Sequence, residues 1–166
     1  PREMTKAILN RARPAGSSPA RTRTTYRRAL VSAMALGTAA FIFLLVKPAG
    51  PDCNLACTYC FYRDKAALYP QETRHRMSRE VLESMIQQYL AIAGPQASFG
   101  WQGGEPLLMG IEFFREAIAL QKRHGQPGQW IANGMQTNGV LLDDTWARFL
   151  RDNRFLVGLS LDGPAE

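Results

Sequence analysis

Cys53, Cys57 and Cys60 are the only cysteines in this 166-residue sequence, and they fall within one short stretch, C-N-L-A-C-T-Y-C. Three thiolates on one loop can ligate three irons of a four-iron cluster and leave the fourth without a protein ligand. An open coordination position is where a bound metal does chemistry, as at catalytic zinc sites. A structural zinc would need a fourth ligand. Only His75, His124 or a carboxylate could supply it, none at the usual ligand spacing. Chance clustering of buried thiols is the remaining reading. Three crowded cysteines do not make a disulfide framework, and thiols kept reduced for a metal point to the cytoplasm.

A loop of this kind must be held by rigid elements, and the sequence alternates strand and helix from residue 41 onward. Phe41–Lys47 is an apolar run closed by Pro48-Ala49-Gly50-Pro51, which predicts a strand buried on both faces. Residues 61–76 are polar and irregular. Ser78 is the expected N-cap of a helix with Val81, Leu82, Met85, Ile86, Tyr89 and Leu90 spaced three and four apart, stopped by Gly94-Pro95. Ala97–Gln102 predicts a second strand, Ile111 to His124 a second helix, and Trp130–Gln136 a third strand. A third helix starts at Asp143 or Asp144, and Phe155–Leu161 forms a fourth strand. Such a (βα)3β order implies a parallel sheet of about four strands covered by helices. The unusual segments all follow strands: the cysteines, Gly103-Gly104-Glu105-Pro106, Thr137-Asn138-Gly139 and Asp162-Gly163-Pro164. In parallel α/β folds that edge carries the active site.

The formal net charge of +6 is not spread evenly. Residues 1–33 hold eight basic residues against Glu3 alone, whereas residues 34–166 hold 12 basic and 13 acidic residues. No phosphate-binding face is implied in the globular part, so nucleic acid is not an expected partner. Residues 1–33 read as a disordered basic extension, with Met34 the expected true start. Tyr26-Arg27-Arg28 before the apolar run from Ala29 to Val46 resembles the n- and h-regions of a signal peptide, or a short anchor. A strand ending that run is the preferred reading, and a membrane partner is not expected.

The C-x3-C-x2-C spacing, with Tyr59 before the last cysteine, resembles the radical S-adenosylmethionine (SAM) superfamily. Lys47-Pro48, Cys60-Phe61-Tyr62, Gln102-Gly103-Gly104-Glu105-Pro106, Met135-Gln136-Thr137-Asn138-Gly139 and the run Val157 to Pro164 extend the resemblance to the anaerobic sulfatase-maturating enzymes, a peptide-modifying branch with a C-terminal SPASM domain. The resemblance covers residues 41 to 164. It implies a partial TIM-type barrel, a 4Fe-4S cluster on Cys53, Cys57 and Cys60, and SAM on the fourth iron. Cleavage of SAM would give a 5′-deoxyadenosyl radical that takes hydrogen from the β-carbon of a Ser or Cys in an unfolded sulfatase segment, leaving formylglycine. An electron donor such as flavodoxin or ferredoxin is implied as a second partner.

By the same resemblance Gly104 and Glu105 bind the SAM amino group, Tyr59 lies near the adenine and Ser160 contacts SAM. Gln136 and Asn138, with Gln102, offer amides to ribose or peptide backbone. Taken alone, Gly103 and Gly104 let backbone approach a ligand closely. Glu105 alone would be a helix N-terminal acid, Tyr59 packing, Ser160 a small strand residue and Asp162 a turn residue. His75 and His124 read as surface residues. The family's SAM-holding arginine and its aspartate general base match nothing up to Glu166, so no catalytic residue is assigned. Residues 34–166 are expected to be the N-terminal part of a radical SAM core, a fragment that does not turn over substrate by itself. Two other readings are another SPASM-type peptide maturase and a non-catalytic metal-binding module tethered by residues 29–46.

Overall fold

The computed structural model describes residues 43–71 and 73–163. The expected basic extension over residues 1–33, the start at Met34 and most of the run from Ala29 lie outside the described residues. The described end of that run, Phe43–Val46, is strand β1. Among the described residues no helix is long and apolar enough to cross a membrane.

After β1 come α1 (Arg79–Ile92), β2 (Gln96–Trp101), α2 (Ile111–His124), β3 (Trp130–Thr137), α3 (Asp144–Asp152) and β4 (Leu156–Leu159). Short 3-10 turns cover Ala66–Leu68 and Pro106–Met109. The strands lie in the order β1-β2-β3-β4, every pair parallel. Phe43 stands opposite Ser98, Gln96 opposite Trp130 and Gly134 opposite Leu156. Local chemistry sets the helix starts. The Ser78 hydroxyl accepts from Val81 N at 3.3 Å, and the Asp143 carboxylate accepts from Trp146 N at 2.8 Å, each satisfying an N–H that the first turn cannot pair. Glu112 in the first turn of α2 and Lys122, Arg123 and His124 in its last complement the helix dipole.

The period of two in β2 directs Ala97, Phe99 and Trp101 into the core shared with the helices. Trp101 stacks on Phe99 and meets the edge of Phe114, which meets Trp146, and Trp146 meets Phe149. One polar group crosses this core and is fully paired. Asn133 Oδ1 accepts from Trp101 Nε1 and from Gln121 Nε2, both at 2.9 Å, while Asn133 Nδ2 donates to Gln121 Oε1 at 2.8 Å.

Burial of the first strand on both faces is not found. Val46 is buried, but Phe43 is 62% and Leu45 47% exposed, and Leu156 on β4 is 79% exposed. Phe43, Leu45 and Leu156, with Gly100, Gly134 and Gly158, line one cavity on the sheet face turned away from the helices. A continuous apolar run in the sequence cannot tell one covered face from two, because both give unbroken hydrophobicity.

Candidate active site

All four strands point the same way, so their trailing loops meet at one edge. There they line a cavity of about 590 Å³. The first loop contributes Cys53, Cys57, Tyr59 and Cys60, the second Gln102, Gly103 and Gly104, the third Gln136 and Asn138, and the fourth Ser160 and Asp162. The structure thus brings together every sequence-predicted site residue except Glu105.

All three cysteines are free thiols, Cys53 exposed and the other two half-buried. Cys60 N donates to Cys57 O at 3.1 Å, closing a turn around the second and third thiols. Cys53 Sγ accepts from Leu55 N at 3.4 Å and from Asn138 Nδ2 at 3.6 Å. Among the described residues no three His, Cys, Asp or Glu side chains are gathered as a ready-made ion site. The sulfurs share a wall of the cavity without being drawn onto one point.

The base of the cysteine loop is pinned by an arrangement that has no sequence signature. Asp52 accepts from His75 N at 3.0 Å, lies 2.6 Å from His75 Nδ1 and pairs with Arg76 Nη1 at 2.5 Å. Burial works to raise the Asp52 pKa, but the hydrogen bonds from the His75 side chain and backbone and the Arg76 charge outweigh it and hold the carboxyl below its ordinary value. His75 is therefore not a surface residue; its ring is mostly buried, and Nε2 has no partner. His124 is likewise mostly buried, with Nε2 3.3 Å from Glu83. Neither histidine lines the cavity that holds the thiols, and among the described residues neither joins the cysteines in a metal-binding group. The Asp52 pairing also makes a pH prediction. A lowered folded-state pKa contributes stability above the unfolded value, here 3.8, and that contribution is lost as pH falls through the folded value. In acid titrations of urea midpoints, wild type should lose stability more steeply below about pH 4 than Asp52→Asn. Parallel curves would refute the pairing.

The second loop packs onto the first through backbone. Gly104 N donates to Gly50 O at 2.9 Å, and Glu105 N donates to Asp52 O at 2.7 Å. A Cβ on Gly104 would stand 2.0 Å from Asp52 O, far inside contact distance. Glycine is required here for the approach of two loops, where the sequence had suggested approach to a ligand.

Glu105 lies outside the cavity lining. It is fully buried (0% exposed) beneath the cavity, and its carboxylate joins the second loop to the third. Oε1 accepts from Leu107 N at 2.9 Å and from the Thr137 hydroxyl at 2.8 Å, and Oε2 accepts from Asn138 N at 2.8 Å. Three of its roughly four lone-pair sites are thus taken by the protein's own donors.

The fourth loop closes the cavity on two sides. Gln136 Nε2 donates to Ser160 Oγ at 3.0 Å. Gly158 leaves the room this needs, since a Cβ there would lie 2.2 Å from Gln136 Oε1. Tyr59 OH donates to Asp162 Oδ2 at 2.5 Å, and that bond to a carboxylate holds the phenol protonated well beyond its ordinary range. Asp162 is thus more than a turn residue, and Tyr59, 71% exposed, stands at the rim.

A second cavity of about 730 Å³ shares Phe61 and Tyr62 with the first. Among the described residues it is lined by Lys47, Lys65, Arg74, His75 and Arg76 with Tyr69, and by no acidic residue.

Comparison with known proteins places this geometry. A family model described as the Radical SAM superfamily matches residues 48–166. The Cysteine-type anaerobic sulfatase-maturating enzyme of Clostridium perfringens (strain 13 / Type A) is 50% identical over 123 residues, 74% of this chain and 33% of that protein. The Serine-type anaerobic sulfatase-maturating enzyme of Bacteroides thetaiotaomicron is 47% identical over 126 residues, 75% of this chain and 30% of that protein. The solved structure of native anSMEcpe with bound AdoMet and Cp18Cys peptide superposes with a TM-score of 0.65 at 50% identity, over 73% of this chain and 31% of the other. BtrN in an open conformation, at 16% identity and a TM-score of 0.51, shares the fold. The chain spans about a third of the length of the curated relatives it matches.

Proposed function

The chain belongs to the radical SAM superfamily, and on that premise we propose that it serves an anaerobic sulfatase maturase, a protein-modifying oxidoreductase that converts a Ser or Cys of an unfolded sulfatase segment to formylglycine. The observation that carries the reading is the convergence of all three cysteines with three other strand-end loops around one cavity of about 590 Å³. Identities of 50% to a cysteine-type and 47% to a serine-type relative support the branch and leave both target residues in play.

The residues present fit a 4Fe-4S cluster and SAM. The donor set is three thiols on one loop, neither His75 nor His124 lines their cavity, and the cavity leaves open space beside the sulfurs. When bound, the cluster would supply an electron for reductive cleavage of SAM. Cys53, Cys57 and Cys60 would hold three irons. The backbone at Gly104, the Gln136 amide and the Ser160 hydroxyl would present hydrogen-bonding groups to SAM from the opposite walls. Tyr59, tied to Asp162, would close the rim over the nucleoside. Glu105 would act from below by holding Thr137 and Asn138. Residues 34–166 would then be the N-terminal part of the radical SAM core.

The basic second cavity behind the cysteine loop suits an acidic electron donor of the flavodoxin or ferredoxin kind. Reduced thiols and such a donor belong in the cytoplasm. The test uses the protein in its full genomic length, loaded anaerobically with iron and sulfide and given SAM, dithionite and a sulfatase-derived peptide. We expect 5′-deoxyadenosine and, by mass spectrometry, formylglycine at the Ser or Cys. 5′-Deoxyadenosine with the peptide unaltered would point instead to a maturase of another peptide, and no SAM cleavage would overturn the reading.

A further inference from the structure

We infer that Asn138 is a positioning residue that raises the electron affinity of a cluster held by Cys53, and that buried Glu105 aims it. The inference rests on the cluster reading above and goes beyond a contact to SAM. The orientation of the Asn138 amide is fixed by its partners. Its Oδ1 accepts from Val140 N at 3.0 Å, and a backbone N–H can only donate, so the oxygen must face that way. The NH2 group then faces the first loop, with one hydrogen for Asn54 Oδ1 at 2.8 Å and one for Cys53 Sγ at 3.6 Å. Beneath, Asn138 N donates to Glu105 Oε2 at 2.8 Å, and the same carboxylate is held by Leu107 N and Thr137. The donor is therefore set from the buried side and does not depend on a bound ligand.

A hydrogen bond donated to a ligating sulfur draws charge from it and favours the reduced, more electron-rich cluster. Among the described residues Asn138 is the one side-chain amide that donates to any of the three sulfurs; the Asn54 amide meets Cys53 Sγ through its oxygen, as an acceptor at 3.8 Å. Its loss should make the cluster harder to reduce.

The test is a potentiometric titration of the anaerobically reconstituted chain, followed by electron paramagnetic resonance (EPR). Asn138→Asp keeps an acceptor for Val140 N and replaces both N–H donors by a carboxylate oxygen. At a fixed potential the ratio of reduced to oxidised cluster should fall about tenfold, a shift of about 59 mV for a one-electron couple. Asn138→Ala should shift the same way by less. Unchanged potentials in both variants overturn the inference and leave the cluster reading standing. A wild-type chain that takes up no iron–sulfur cluster overturns that reading and the inference with it. Should the variants fail to fold by circular dichroism, wild-type protein labelled with 15N at asparagine side-chain amides decides the matter. A coupling between the reduced cluster and a labelled amide in pulsed EPR supports the inference, and its absence overturns it.

Discussion

Cys57→Ala should abolish cluster binding while leaving the fold intact. The bond that closes the cysteine turn runs from Cys60 N to the backbone oxygen of Cys57, so it survives loss of the thiol. What disappears is one of the three thiolates, and no described histidine lines the thiol cavity to replace it. Loss of a group that merely supports a metal ligand already weakens binding by about 10- to 100-fold, so loss of a ligand should exceed about 100-fold. The checks are iron and sulfide content and the brown absorbance shoulder that bleaches on reduction. Wild type should show both, and Cys57→Ala neither, with matching far-UV circular dichroism. A variant that keeps its iron and colour would remove Cys57 from the ligand set. A colourless wild type holding stoichiometric zinc would replace the cluster with a structural metal.

Glu105→Gln should cost about 2–3 kcal/mol of stability, although it changes one atom. Oε1 accepts from two donors and Oε2 from one, so neither position tolerates an NH2 group. An amide nitrogen at Oε1 leaves Leu107 N without an acceptor, and one at Oε2 faces Asn138 N. Either way a backbone N–H next to a fully buried side chain loses its partner, a cost of about 1–3 kcal/mol by itself. The lost charge-assisted bond adds to it. Glu105→Ala should cost more, because all three donors are orphaned and a void opens. Urea denaturation at neutral pH measures both. A loss below about 1 kcal/mol for Glu105→Gln would mean that the carboxylate does not lock the two loops together.

These two positions differ in how far the sequence reveals them. The cysteine pattern is legible because three ligands on one loop leave a spacing that little else produces. The helix limits are legible because capping is local: Ser78 and Asp143 each bond an N–H three residues on. The shared edge follows from parallel connectivity, which sends every strand-end loop the same way. The sequence marks Glu105 by its Gly-Gly-Glu-Pro setting but does not reveal that it is buried against Thr137 and Asn138. Its partner Asn138 is 33 residues away, and no periodicity reports whether a loop carboxylate points up or down. Asp52 was missed for a related reason. It precedes the first cysteine, but its partners His75 and Arg76 come 23 and 24 residues later, at the end of an irregular segment. The exposed inner side of β1 was hidden by its unbroken apolar run. In each case the missing information is a long-range pairing, which local propensity does not encode.

A direct measurement remains on the chain itself. Reconstituted under strict anaerobiosis and reduced by one electron, the protein should give the EPR signal of a reduced four-iron cluster. That signal should change shape when SAM is titrated in, because the iron without a thiolate gains a ligand. A cluster signal indifferent to saturating SAM, or no cluster signal at all, would contradict the assignment of Cys53, Cys57 and Cys60 to a SAM-binding centre.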